Sequence, residues 1–413
     1  MNTVARAAAK YPAKAARYES LDHWRGAACL GVVVFHATMQ VAGPVAAPAG
    51  EGFWASLGAA LLAVTSRFWI GVPAFFVISG YCIMATLDSR RRRGDGLGEY
   101  LRRRVWRIYP PYWIALSASV LIVALFESTA LRELFADGIF TVPHLASLSP
   151  GQWLGNLSLT ETWRAPLAGG HGVNFLPNTW TLNYEEQFYL VAGLILLLAP
   201  RRMFFAAAVI TGLVVVAKVA SHLAGVSLDG TFADGRWLLI AAGILVYYKI
   251  NYATARQSYL IYGLLACGLL VADKNPRALL DATPNHGIER FVACGFALFL
   301  AWAYRHDAWI AAARLFAPLR SVGKISYSVY LAHPLVAKGI GLGMLRLGHH
   351  GPWETLLITV PLALVGSLTV AWAFHRLVER HFLPGDGERP QERVPQQVVE
   401  PTAPALGGLA GAV

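Results

Sequence analysis

Charged residues are scarce in this chain of 413 residues. Asp, Glu, Lys and Arg make up only 14% of it, hydrophobic residues make up 56%, and the mean hydropathy is +0.47. Soluble domains have about a quarter charged residues, so this composition excludes an ordinary soluble domain. A chain of this length has room for roughly eight to eleven membrane helices and little else.

Cysteine is also rare, with four residues at Cys29, Cys82, Cys267 and Cys294. No CxxC spacing occurs, so the sequence indicates neither a metal site nor a disulfide framework. All four lie inside apolar stretches, which predicts buried, unreactive thiols. No internal repeat is visible, and this weakens an inverted-repeat transporter interpretation.

Basic residues exceed acidic ones, with 35 Lys and Arg against 24 Asp and Glu and a net charge of +11. Such an excess can indicate a nucleic-acid partner. Here the basic residues cluster at the ends of apolar segments, which is typical of proteins anchored among membrane lipids. We therefore expect membrane lipids and no nucleic acid as partners.

The apolar segments predict an all-α, polytopic integral membrane protein with about ten transmembrane helices. The predicted spans lie near residues 25–43, 68–87, 105–126, 183–200, 203–222, 236–250, 257–272, 289–304, 325–345 and 354–375. Pro110 and Pro111 are expected to interrupt the third span near its start. Residues 53–66 are apolar but short, and we interpret them as an interfacial or re-entrant segment.

The distribution of Lys and Arg predicts the orientation. With the N-terminus inside, 24 of the 35 fall on inner segments and eight on outer ones, so both termini are predicted to be cytoplasmic. Residues 1–20 form a basic cytoplasmic lead, and residues 384–413, rich in Pro and Ala, a disordered cytoplasmic tail. Residues 127–182 form the main extracytoplasmic loop, long enough for short helices. A signal peptide cleaved within residues 41–50 is an alternative for the N-terminus.

Arg25 and His36 lie eleven residues apart at the start of the first span. Eleven steps of about 100° place both on one helix face, about 16 Å apart along the axis. Ionisable groups at such depths usually face a bundle interior or a wet cavity, so the pair is a candidate functional site. The alternative is a signal peptide followed by a packed histidine.

Eight arginines fall between Arg90 and Arg107. Arg103, Arg104 and Arg107 start the third helix, and spacings of four and three residues place Arg103 and Arg104 each beside Arg107. Arginine forks bind phosphate, so these three are candidates for an anionic cytoplasmic ligand. The alternative is anchoring to anionic lipid, which we assign to the four arginines of residues 90–93.

Two further segments combine small or polar residues with apolar ones. Ser79 and Gly80 allow close approach either of a helix or of a ligand. Tyr327, Tyr330 and His333 follow a period of three and share a face. His333 precedes a proline, so a structural role and a catalytic role are both open.

Two adjacent carboxylates, Glu185 and Glu186, lie at the outer end of the fourth span. Asn178 or Thr179 is expected to cap this helix. A carboxylate there, together with His36, can supply acid–base chemistry or orient a sugar hydroxyl. The alternative is that these carboxylates only complement the positive N-terminal end of the helix dipole.

Six segments in order resemble the membrane-bound acyltransferase-3 family of bacterial glycan O-acyltransferases. They are LDxxRGxAxxxVxxxH (21–36), FFVISGY (75–81), RRVWRIYPPYW (103–113), WTLNYEEQFYL (180–190), ISYSVYLAH (325–333) and HRLVERHF (375–382). The resemblance therefore implies one membrane acyltransferase domain over residues 21–383.

The family's motifs fall on Trp180 and on charged residues already singled out. Its Arg-x10-His motif falls on Arg25 and His36, its arginine motif on Arg103, Arg104 and Arg107, and its tryptophan–glutamate motif on Trp180 and Glu185. The chain departs from the usual pattern at His23-Trp24, Thr181 and Asn183-Tyr184, and none of these departures removes a charged group.

The resemblance implies an O-acetyltransferase in the bacterial inner membrane, with no bound cofactor and with acyl-CoA, in the first place acetyl-CoA, as donor substrate. Arg103, Arg104 and Arg107 would hold its phosphates, with Ser79 beside the donor. The acceptor would be a glycan hydroxyl, and a polysaccharide biosynthesis complex is a further candidate partner.

In the implied mechanism, His36 is the general base that takes the proton of the acceptor hydroxyl. Arg25 guides the donor, and Glu185 orients the acceptor or His36. Some relatives carry a fused hydrolase-like domain. Its absence from this sequence predicts direct transfer or a separate partner.

Two other functions stay open. One is a flippase for lipid-linked glycans, with Lys218, Lys338 and His36 along its path. The other is an acyltransferase acting on a small molecule such as a macrolide. The arginines at 103–107 favour acyl transfer, because a flippase needs no cytoplasmic site for the phosphates of coenzyme A.

Overall fold

The chain folds into α-helices at each of the ten apolar segments. The computed structural model describes residues 18–42, 52–127, 129, 143–168, 170, 172–271, 286–349 and 351–383, and these ranges contain no β-strand. The helices up to Phe382 form one compact unit. The protein is thus an all-α, polytopic membrane protein. Residues 1–17 of the predicted basic lead, 43–50 of the possible cleavage region and the predicted tail at 384–413 lie outside the described residues.

The helices are numbered here in chain order. They are α1 (Leu21–Ala42), α2 (Phe53–Thr65), α3 (Gly71–Arg93), α4 (Leu97–Glu127), α5 (Pro150–Leu157), α6 (Glu161–Leu167), α7 (Trp180–Leu198), α8 (Met203–Ala224), α9 (Trp237–Asn251), α10 (Ala255–Val271), α11 (His286–Ala303), α12 (Asp307–Ala312), α13 (Ala317–Lys324), α14 (Ser326–Arg346) and α15 (Val360–Leu377). A one-turn helix, Pro352–Glu354, and a π-helical turn, Thr355–Thr359, lead into α15.

Six helical segments among the described residues are long and apolar enough to cross a membrane. They are Phe53–Arg93, Leu97–Glu127, Pro200–Ala224, Gly287–Ala312, Ser326–Arg346 and Pro352–Leu377. Helices α1, α7, α9 and α10 do not meet these criteria of length and hydropathy, so the number of ten spans stays a prediction. Two of these, α1 and α7, carry the charged candidate residues Arg25 and Glu185, and those residues lower their hydropathy.

The expectation that Pro110 and Pro111 interrupt the third span is wrong. Helix α4 begins at Leu97 and continues through both prolines. Each proline removes only one amide donor to the preceding turn, which is a small part of the hydrogen bonding of a 31-residue helix. The Tyr327 hydroxyl of α14 donates to the Ile108 carbonyl in the same stretch, at 2.8 Å.

Helices α3 and α9 touch through their backbones at two glycines. A Cβ atom on Gly80 would collide with the Ile240 carbonyl, and one on Gly243 would collide with the Val77 carbonyl. Small residues at such a crossing let two membrane helices approach closely. Gly80 is therefore a packing residue, whereas the neighbouring Ser79 faces a cavity.

Helices α1 and α13 cross in the same way. A Cβ atom on Gly26 would collide with the Leu319 carbonyl, and one on Gly323 with the Asp22 carbonyl. This contact fixes the end of α13, and hence Lys324, beside the face of α1 that carries Arg25.

The segment between α4 and α7 packs into the bundle. Tyr109, Tyr112 and Trp113 of α4 donate to backbone carbonyls of residues 156–158, at 3.1, 2.6 and 2.9 Å. Phe175 is fully buried. The prediction of short helices in residues 127–182 is thus confirmed by α5 and α6, and their backbone reaches the side of α4.

The arginines that end α3 are paired within the protein. Asp88 is completely buried and accepts hydrogen bonds from Arg91, at 2.7 Å, from Arg92, from Tyr247, at 2.8 Å, and from Tyr252. Burial, together with the Asp88 carboxylate, raises the pKa of Tyr252 to about 12, so its hydroxyl remains a donor at neutral pH. These contacts join α3 to α9, a role beyond the lipid anchoring expected for this arginine run.

The cysteines differ in exposure. Cys29 is buried and Cys82 and Cys294 are half-buried, but Cys267 is exposed on α10. The expectation of four buried thiols is therefore wrong for Cys267, because an apolar membrane segment also has faces that point away from the protein.

Candidate active site

A cavity of about 230 Å³ lies among α1, α3, α4, α7 and α14. Its lining includes the predicted residues Arg25, His36, Ser79, Arg104, Arg107, Trp180, Glu185 and His333. The first and last of these lie more than 300 positions apart in the sequence. The helices therefore bring nearly all of the predicted site into one space.

Arg103 is the predicted residue that does not line this cavity. Its guanidinium pairs with Glu99, one turn earlier on α4. Arg103 and Arg104 are adjacent on a helix and point about 100° apart. Only Arg104 and Arg107, three residues apart, share the face that borders the cavity, so a donor-binding role for Arg103 stays a prediction.

A pair of histidines joins α1 to α14. His36 Nδ1 and His333 Nε2 are 3.0 Å apart, and His333 Nδ1 is 2.8 Å from the Val329 carbonyl oxygen. The two rings also stack, with 4.8 Å between their centroids. Both residues are buried. His333 therefore contacts the predicted base directly.

The hydrogen bonds of this pair define the protons on both rings when both are neutral. A carbonyl oxygen only accepts, so His333 carries its proton on Nδ1 and presents Nε2 as an acceptor. His36 must then donate from Nδ1. The lone pair of His36 is consequently on Nε2, the nitrogen that can accept a proton from a substrate.

The Glu185 carboxylate is held on both oxygens. Ser79 donates to Oε1 at 2.8 Å, and the Tyr189 hydroxyl donates to Oε2 at 3.2 Å. A carboxylate offers about four acceptor positions, so about two are left for a ligand. The contact of Ser79 is with this carboxylate, and its predicted role beside the donor stays a prediction.

The start of α7 differs from the prediction. Neither Asn178 nor Thr179 caps the helix with its side chain, and α7 follows directly on a short 3₁₀ turn. The Asn178 amide instead donates to the Tyr330 carbonyl at 2.7 Å, and the Tyr330 hydroxyl returns a bond to the Asn178 carbonyl at 2.7 Å. This reciprocal pair holds α7 against α14 at the edge of the cavity.

Two arginines of the site have partners inside the protein. The Arg25 guanidinium pairs with Asp22 at 2.9 Å and donates to Cys82 Sγ at 3.3 Å. The Arg104 guanidinium donates to the Thr86 hydroxyl at 3.3 Å and lies 4.5 Å from the centre of the Tyr189 ring. Both cations are therefore held in position at the cavity wall.

Arg107 and Lys324 are different. Both line the cavity and both are exposed, and within the described ranges neither has an ion pair or a side-chain hydrogen bond. Two such cations at the wall of a cavity suit an anionic ligand. The sequence alone does not indicate Lys324 as a site residue, because its approach to the site depends on the crossing of α1 and α13.

Glu379 is a second carboxylate at the wall that sequence reasoning did not select. It is buried, accepts from the Ser328 hydroxyl, and lies 2.8 Å from His375 Nδ1. Its one sequence signal was its position in the segment HRLVERHF.

Among the described residues, no group of three or more His, Cys, Asp or Glu could hold a metal ion.

The residues named for the flippase alternative do not share this cavity. His36 lines it, whereas Lys218 lines a second cavity elsewhere in the bundle, and Lys338, which is buried on α14, lines neither of the two.

A family model described as an acyltransferase domain, of the acyltransferase-3 type, matches residues 18–376 of the chain. The match covers most of the sequence and confirms the resemblance seen in the six motifs. No solved structure matches the chain at a significant level.

The chain is also similar to curated bacterial proteins. YrhL of Bacillus subtilis (strain 168), named provisionally as a peptidoglycan O-acetyltransferase, is 23% identical over 84% of this chain and 53% of its own length. O-acetyltransferase OatA of Staphylococcus aureus (strain NCTC 8325 / PS 47) is 23% identical over 76% of this chain and 49% of its own. The chain thus spans about half the length of these relatives.

Proposed function

The chain belongs to the acyltransferase-3 family, and on that basis we propose that it is a membrane O-acetyltransferase acting on a cell-envelope glycan. The donor is acyl-CoA, in the first place acetyl-CoA, and the acceptor is a glycan hydroxyl. The observation that carries this proposal is the meeting in one cavity of a buried histidine pair, a fixed carboxylate and two cations that have no ion pair within the described residues. The name of YrhL, provisionally that of a peptidoglycan O-acetyltransferase, favours a peptidoglycan-type acceptor.

In the proposed reaction, His36 Nε2 takes the proton of the acceptor hydroxyl as its oxygen attacks the thioester carbonyl carbon. The tetrahedral intermediate then collapses, the C–S bond breaks, and the histidinium returns the proton to the departing thiolate. The products are the acetyl ester and free coenzyme A. His333 keeps Nδ1 of His36 engaged, so that the lone pair stays on Nε2.

The charged residues have separate roles in this proposal. Arg107 and Lys324, with Arg104, bind donor phosphates, since charge-assisted hydrogen bonds to phosphate are the strong ones. Arg25 guides the donor arm past α3. Glu185 accepts a hydrogen bond from the acceptor, which orients the attacking oxygen.

The proposed location is the bacterial inner membrane with both termini in the cytoplasm, supported by the excess of Lys and Arg on the segments assigned to that side. Donor binding is then cytoplasmic. The acceptor reaches the cavity from the outer side, at the N-terminal end of α7. It arrives either directly or from a partner of the polysaccharide biosynthesis machinery.

Donor binding provides the first test. Calorimetry of acetyl-CoA with the purified protein should give saturable binding, and the Arg107→Gln/Lys324→Gln variant should weaken it about 10- to 100-fold, because two charge-assisted contacts are lost. The matched control is Arg102→Gln/Arg314→Gln, which removes the same charge from residues that do not line the cavity. Equal affinity in both double variants, or no binding by folded protein, would contradict the donor site.

The role of His333 provides a second test. His333→Phe keeps an aromatic ring but removes the acceptor for His36 Nδ1, and we expect kcat to fall at least about tenfold with the KM for acetyl-CoA unchanged. His333→Gln retains an acceptor atom and should restore part of the rate. The pH dependence of kcat should shift in the Phe variant only. If both variants lose activity equally and with an unchanged pH profile, His333 serves packing alone.

A further inference from the structure

A second cavity, of about 750 Å³, lies among α8, α9, α10 and α11, away from the candidate active site. Its volume falls in the range of roughly 300–1,000 Å³ that is usual for ligand pockets. Most of its wall is apolar, and Val215, Val219, Leu264 and Leu265 belong to it. Nothing in the proposed acetyl transfer uses this space.

Two cationic side chains of this cavity approach each other beside Gly235. Lys218 comes from α8 and Arg290 from α11, and both approach Gly235. A Cβ atom built there would lie 3.1 Å from Lys218 Cδ and 3.4 Å from Arg290 Nη1. Both residues are half-buried, so two cationic side chains approach the same glycine with limited access to water. Such an arrangement is unfavourable unless an anion lies between them.

The carboxylates nearby do not supply that anion. Asp234 accepts hydrogen bonds from Tyr184 and Arg236, and Glu289 lies 3.3 Å from the Arg236 guanidinium. Asp229 also lines the cavity. Within the described part of the chain, no carboxylate lies within ion-pair distance of Lys218 or Arg290.

The apolar wall has the length of one leaflet. Along α8 it runs from Thr211 to Leu223, which is about 18 Å at 1.5 Å per residue, close to half of a hydrocarbon core of about 30 Å. Val215, Val219 and Leu264 are exposed along it, so the cavity is open toward the bilayer side of the helices. Lys218 lies in the C-terminal half of this wall, and Arg290 lies near the start of α11.

We propose that this cavity binds one anionic phospholipid, with its phosphate on Lys218 and Arg290 and an acyl chain along α8 and α10. Charge complementarity selects the headgroup, because two converging cations favour a lipid with net negative charge over a zwitterionic one. The apolar wall selects a lipid over free phosphate. This inference goes beyond the proposed function and does not depend on it.

Native mass spectrometry of the delipidated protein in a mild detergent tests the proposal. Phosphatidylglycerol, phosphatidylcholine and inorganic phosphate are added separately. The first phosphatidylglycerol should bind at least about tenfold more tightly than phosphatidylcholine, and Lys218→Gln/Arg290→Gln should abolish that preference. Arg201→Gln/Arg202→Gln, which removes the same charge at the opposite end of α8, should retain it.

A second variant tests the wall without changing charge. Val215→Trp places a large side chain at an exposed position of the cavity and should weaken phosphatidylglycerol binding while leaving the thermal unfolding midpoint close to wild type. Equal binding of the two lipids by the wild type, or a preference unaffected by Lys218→Gln/Arg290→Gln, would overturn the proposal. Tight inorganic phosphate binding with no gain from an acyl chain would overturn it as well. All of these readouts are independent of acetyl transfer, so failure of the enzyme assignment would leave them interpretable.

Discussion

Replacing His36 by alanine is expected to lower the rate of acetyl transfer about 10²–10⁴-fold, the range over which a positioned general base contributes. The reason is geometric. His36 lines the cavity, and its bond to His333 leaves Nε2 as the nitrogen that accepts a proton. Acetyl-CoA affinity should change by less than about threefold, because the proposed phosphate contacts are with Arg104, Arg107 and Lys324.

The measurement is thiol release from acetyl-CoA in proteoliposomes supplied with peptidoglycan fragments, alongside calorimetry of donor binding. His306→Ala is a matched control, since His306 is an exposed histidine shortly after α11 that lines neither cavity. A His36→Ala protein that binds donor and still transfers acetyl at close to the wild-type rate would refute the assignment of the base.

Much of the candidate site follows from helical spacing alone. Arg25 and His36 were placed on one face of α1, and Tyr327, Tyr330 and His333 on one face of α14, and all five line the cavity. Within a single helix the direction of a side chain depends only on its position in the sequence. The contact between His36 and His333 was not predictable, because it depends on how α1 and α14 pack.

The parts that sequence reasoning missed depend on contacts between distant segments. Lys324 reaches the cavity because Gly26 and Gly323 let α13 lie directly on α1. Cys82 comes into contact with Arg25 across the α1–α3 interface. Neither contact is indicated by a periodic pattern in the sequence. Charge and hydropathy along the chain indicate how deep a residue lies, and they do not indicate which helix it faces.

The presence of the helices was predicted better than the residues at which they begin and end. All ten apolar segments form helices, but α4 extends from Leu97 through Pro110 and Pro111. Proline weakens a helix by removing particular hydrogen bonds, and packing against neighbouring helices can offset that loss. Hydropathy alone also does not identify α1 and α7 as membrane spans, since the polar residues that line the site lower the hydropathy of these helices.

Replacing Gly80 by leucine is expected to destabilise the protein strongly. The backbones of α3 and α9 are in contact there, and any Cβ would collide with the Ile240 carbonyl. Overpacking a core usually costs about 1–3 kcal/mol. A collision with backbone cannot be relieved by rotating a side chain, so we expect a cost at or above the upper end of that range and little folded protein. The measurement is the thermal unfolding midpoint and the monodisperse yield in detergent.

Gly212→Leu is the control, because Gly212 lies on α8 and a Cβ atom there would have no neighbouring atom within 4 Å. There the substitution should be neutral or slightly stabilising, since glycine inside a helix costs about 1 kcal/mol relative to better helix formers.

The α3–α9 crossing also positions Ser79, the residue before Gly80, against Glu185. Gly80→Ala, the smaller change, should therefore reduce acetyl transfer more than it reduces donor binding. If Gly80→Leu and Gly212→Leu unfold at the same temperature, the close α3–α9 contact is wrong, and with it the placement of Ser79 at the site.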